Sequence, residues 1–65
     1  MIYIPELVAI ERRAHEARVT MPTVCKRAGV FPSSWYRARK RGAANYTLID
    51  PIEKALTEIE KERMA

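Results

Sequence analysis

Cysteine and histidine are each present once, as Cys25 and His15, and glycine only twice. A lone cysteine cannot close an internal disulfide, so a disulfide-stapled secreted scaffold is excluded. Neither Cys25 nor His15 has a partner at metal-ligand spacing, and Cys25 reads as a small core residue. His15 falls on a charged stretch and is expected to be exposed. The glutamates of the last helix read as a solvated face, and the expectation is no enzyme, no cofactor, no metal and no small-molecule ligand. No apolar run is long enough to span a bilayer, and Met1-Ile2-Tyr3-Ile4 is too short for a targeting segment. A cytoplasmic protein is expected, with no membrane partner. Repeats and low-complexity segments are also lacking. The 65 residues allow one domain with a small core.

Lysine and arginine are abundant, and their placement is uneven. Residues 1 to 47 hold nine of them against three glutamates, whereas residues 48 to 65 hold three against five acidic residues. A basic body with an acidic last segment suits a polyanion on one side and another partner, such as a second subunit, on the other.

Helical spacing organises most of the chain. Residues 1 to 4 are β-branched or aromatic and precede Pro5, which predicts an extended arm. Leu7, Ile10, Ala14 and Ala17 recur at helical spacing, predicting a first helix from about Pro5 to Ala17. Thr20 is a good N-cap and Pro22 suits a first turn, so a second helix is predicted from about Met21 to Ala28, with Val24, Cys25 and Ala28 inward. Gly29 can take positive φ and end it at once. Pro32-Ser33-Ser34 then opens a third helix, expected to stop near Arg41, before Gly42. The last helix carries Leu48, Ile52, Ala55, Leu56 and Ile59 as its apolar stripe and is placed at 48 to 62. Of two start signals, Asp50-Pro51-x-Glu53 is stronger than Thr47-x-x-Asp50, because Pro51 would be first inside the helix. The charged end beyond Ile59 is expected to fray.

At about 100° per residue, the third helix puts Trp35 and Ala38 on one face and Ser33, Tyr36, Arg37 and Lys40 on the other. Arg39 and Arg41 flank that outward face. Two short helices joined by a tight turn over residues 20 to 41, the second carrying a basic, hydrogen-bonding face, form a helix-turn-helix suited to a DNA major groove.

Val19-Thr20, Val24-Cys25, Ala28-Gly29-Val30, Ser33, Trp35 and Ala38 resemble the helix-turn-helix of the lambda-repressor and Cro-like family of bacterial and phage regulators. Asn45 to Leu56 is similar to the loop and following helix of those domains. The resemblance implies an all-α fold: a small lambda-repressor-like domain of four helices, or five as is common in the family, here with an extended N-terminal arm. Three positions depart from the pattern: Met21 replaces a phosphate-touching glutamine, Phe31 replaces the polar cap of the third helix, and Trp35 replaces a smaller aliphatic residue.

The expected function is a sequence-specific regulator of transcription that binds double-stranded DNA, a repressor acting as a homodimer on a palindromic operator. Ser33, Tyr36 and Arg37 are the expected base contacts, and Thr20, Thr23, Arg39, Lys40 and Arg41 the expected phosphate contacts. The same residues would serve an excisionase-like or other accessory DNA-binding protein. A different class is a helical protein-interaction module, an antitoxin or adaptor docking through Trp35, Tyr36 and the basic face. For dimerisation, the surfaces expected are the arm at residues 1 to 4, with no evident place in a helical core, and the end of the last helix.

Overall fold

The computed structural model describes residues 1 to 64, with side chains to residue 63, so Ala65 lies outside the described residues. A short strand β1 (Ile2–Tyr3) runs directly into helix α1 (Ile4–Glu16). Helices α2 (Met21–Ala28) and α3 (Pro32–Arg41), strand β2 (Ala43–Ala44) and helix α4 (Tyr46–Met64) follow. The fold is mostly helical, as expected, with a two-stranded antiparallel ribbon added in the register Ile2↔Ala44 and Tyr3↔Ala43.

The ribbon corrects the expectation for the N-terminal arm. Ile2 is 4% exposed and belongs to the core, and Ile4 is already helical. The physical reason lies at the far end of α3. Gly42, at φ +87°, ends that helix and turns the chain back, and a Cβ placed on it would meet Ile4 Cγ1 at 3.3 Å. Ala43 and Ala44 are small enough to let a strand lie close, and Ala44 is fully buried. The arm is therefore sheet and core rather than a free segment.

The two helix ends that lead into and out of α2 have one geometry. At the end of α2, Gly29 (φ +78°) donates its amide to Lys26 O at 3.1 Å, and Val30 donates to Cys25 O at 3.0 Å. This pairing satisfies two otherwise orphaned carbonyls and turns the chain within two residues. At the end of α1, Arg18 donates to His15 O and Val19 to Ala14 O, each at 3.0 Å. Here Arg18 holds the left-handed position, at φ +60°.

Inward-facing residues arrive from every helix: Leu7, Ile10 and Ala14 from α1, Val24 and Cys25 from α2, and Trp35 and Ala38 from α3. From α4 come Ile49, Ile52, Ala55, Leu56 and Ile59. Ala17, Ala28 and Leu48 are half-buried against this cluster. Helix α4 starts at Tyr46, four residues before the favoured signal at Asp50. Asn45 O accepts the amides of Leu48 and Ile49 at 3.0 and 3.1 Å, and full burial of Ile49 holds that first turn in place. Pro51 lies inside the helix, its missing N–H leaving the carbonyl of exposed Thr47 to solvent. The helix runs on to Met64. Arg13 grips Glu60 there and Arg27 grips Glu62.

Candidate nucleic-acid interface

Helix α3 is fixed to the body by its apolar side and by one carboxylate. Trp35 and Ala38 are each 1% exposed. Glu11 of α1 accepts two hydrogen bonds on the same oxygen, from Trp35 Nε1 at 3.1 Å and Arg39 Nε at 3.0 Å. The buried indole N–H is thereby satisfied. With Trp35 held, the helical period leaves Ser33, Tyr36, Arg37, Lys40 and Arg41 outward, and all five are exposed.

The expected contact residues thus divide. Ser33, Tyr36, Arg37, Lys40 and Arg41 share one accessible face, as expected. Arg39 does not join them: it is half-buried and paired with Glu11, because at the helical period it follows Trp35 around the flank nearest α1. Thr20 and Thr23 are exposed and adjacent, their hydroxyls 2.9 Å apart. Thr20 Oγ1 also accepts the Thr23 amide at 3.4 Å, so this hydroxyl caps α2 as its position promised.

Beside this face lies an open groove of about 440 Å³, lined by the turn Gly29-Val30-Phe31, by Ser34, Arg37 and Arg41, and by Asn45, Thr47 and Leu48. Arg41 Nη2 donates to Ala43 O at 3.3 Å. Two arginines together with amide and hydroxyl groups in the lining suit an anionic, hydrogen-bonding ligand. Phe31, omitted from the expected contacts, is part of this lining and is 77% exposed. Its signal in the sequence was the loss of a polar cap.

The remaining chemistry is sparse. Burial pushes the Cys25 thiol above its ordinary range, which disfavours a thiolate at neutral pH. His15 is exposed. Among the described residues no cluster of three His, Cys, Asp or Glu side chains could hold a metal ion, and no helix is long and apolar enough to cross a membrane.

Compared with protein families, curated proteins and solved structures, the chain has no significant match.

Proposed function

We propose that this chain is a small sequence-specific regulator that binds double-stranded DNA through a lambda-repressor/Cro-like helix-turn-helix, with α3 in the major groove and α2 across the backbone. The observation that carries the reading is the outward face of α3. Ser33, Tyr36, Arg37 and Lys40 are exposed together opposite a fully buried Trp35, on a segment joined to α2 by a three-residue turn. Arg37 can pair bidentately with guanine, while Ser33 and Tyr36 can reach neighbouring base edges. Lys40, Arg41, Thr20 and Thr23 supply phosphate contacts that set register without reading sequence.

A single recognition helix covers few base pairs, so two copies on a pseudo-palindrome give the specificity a repressor needs, with half-sites about 34 Å apart. The molecule measures 35 × 22 × 16 Å, small enough for two copies to sit side by side at that spacing.

The test has two stages. Mixed-sequence duplex at low salt should bind measurably, since phosphate contacts alone confer non-specific affinity that falls steeply with salt; no binding at all would end the DNA reading. On a duplex selected from a random pool, Arg37→Ala should cost about 1–3 kcal/mol and relax specificity at one base pair per half-site. Lys40→Ala should weaken every sequence alike and reduce the salt slope by about one. Equal losses on selected and random DNA would remove Arg37 from the base readers. Footprinting then separates roles: protection over a promoter indicates repression, and protection at a recombination site indicates an accessory protein.

A further inference from the structure

Phe31 occupies the N-cap of α3 with extended backbone (φ −76°, ψ 133°) and makes no side-chain cap hydrogen bond. Ser, Thr, Asp or Asn there would satisfy an orphaned helix amide, and an apolar residue forfeits that contribution. Burial does not compensate, because Phe31 is the most exposed large apolar residue described, at 77%. Two local preferences are thus broken at one position with no gain to the fold, and such breaks concentrate at functional sites. The neighbours are specific as well. Phe31 shares the wall of the open groove with Ser34, Arg37 and Arg41, so the ring stands on the anion-attracting side of the molecule, at the N-terminal end of the helix whose first residues meet base edges in a helix-turn-helix.

We propose that Phe31 is a specificity-determining residue that reads thymine, its ring packing on a C5-methyl group in the major groove beside the base contacted by Arg37. The inference rests on the DNA-binding reading above. The C5-methyl is the apolar feature of the major-groove edge, and phenylalanine is one of the side chains that can contact it. An aromatic ring carries no hydrogen-bonding group with which to read any other base-edge feature. Arg37 and Arg41 supply the attraction that brings the duplex to this edge, and the ring then rewards thymine over cytosine or uracil.

The experiment begins with duplexes selected from a random pool by the wild-type chain. Each thymine of the selected site is replaced in turn by deoxyuridine, which removes only the methyl group. Binding is measured for wild type, Phe31→Ser and Tyr36→Ala. At one thymine per half-site, uracil should weaken wild-type binding about fourfold, the worth of one buried methyl group. It should leave Phe31→Ser unaffected. Phe31→Ser restores a capping hydroxyl, so its melting temperature should rise by about 5 °C while its affinity for the selected site falls. A folded, more stable variant with weaker, uracil-insensitive binding is the result expected. If the chain selects a duplex but no thymine couples to Phe31, or the coupling follows Tyr36→Ala instead, the assignment is overturned and the DNA reading stands. If no duplex is selected, both fall together.

Discussion

At the scale of single residues, two helix ends solve one problem with different side chains. Gly29 takes the left-handed position at the end of α2, where an added Cβ would meet nothing within 4 Å. Arg18 takes the same position at the end of α1. An L-residue with a Cβ bears roughly 1–2 kcal/mol in that conformation, and glycine gives back part of the difference through its freer unfolded chain. Arg18→Gly is therefore expected to stabilise the domain by about 0.5–1 kcal/mol, raising the melting temperature by roughly 2–8 °C. The Arg18 side chain is exposed, so its loss removes little packing. A lower melting temperature would mean that the arginine holds a contact worth more than its backbone strain. The glycine-ended turn was legible in the sequence because Gly29 advertises positive φ. The arginine-ended one was not, since nothing in the identity of Arg18 marks a left-handed position.

Whole elements were read most securely where two signals coincided. Helices α2 and α3 each begin with proline in the first turn and end at glycine, and both were placed at their observed limits. Helix α4 runs two residues past its expected limits of 48 to 62 at each end: burial of Ile49 holds its first turn, and ion pairs with Arg13 and Arg27 secure its last turns. Which side chains of α3 stand outward was legible, because helical period alone decides their exposure. The pairing of Arg39 with Glu11 was not, since that partner is distant in sequence. One of the pairs on α4 has a pH signature. Arg13 donates to both carboxylate oxygens of Glu60, at 2.7 and 3.2 Å. That hydrogen-bonded guanidinium holds the Glu60 carboxyl below its ordinary range. A carboxylate whose pKa is depressed on folding contributes stability that is fully present above its unfolded pKa and is lost as pH falls through the folded one. Both side chains are about one-third exposed, so the contribution is that of a surface pair, roughly 0.2–1 kcal/mol. Glu60→Gln should accordingly lower the melting temperature at neutral pH by a few degrees at most. In acid below the ordinary carboxylate range, the two proteins should converge. A constant gap across the whole pH range would assign the loss to packing rather than charge.

For the molecule as a whole, the question is whether residues 1 to 4 belong to the fold or to an assembly. The Cα radius of gyration is 10.9 Å, close to the roughly 10.7 Å expected of a compact 65-residue domain, and Ile2 and Tyr3 are paired with Ala44 and Ala43. Ile2 is buried with the core while Tyr3, its neighbour on the strand, is 59% exposed, the alternation expected of a ribbon with one face covered. A domain of this length has only about 3–10 kcal/mol of stability in total. Ile→Ala in a core typically costs about 2–5 kcal/mol. Ile2→Ala is therefore expected to lower the melting temperature steeply, and deletion of residues 1 to 4 more so, with helical circular dichroism falling at moderate temperature. Tyr3→Ala, on the exposed side of the same strand, should leave stability nearly unchanged. The discriminating measurement is the concentration dependence of melting, followed with sedimentation. If the ribbon is intramolecular, the Ile2→Ala loss is the same at every protein concentration and the sedimentation profile of the surviving folded fraction is unaltered. If β1 instead pairs with β2 of a second copy, as strand exchange between protomers allows, the wild-type melt rises with concentration and Ile2→Ala shifts sedimentation toward the monomer. The intramolecular register Ile2↔Ala44 predicts the first outcome, and it moves any pairing surface for DNA binding off the arm's buried side.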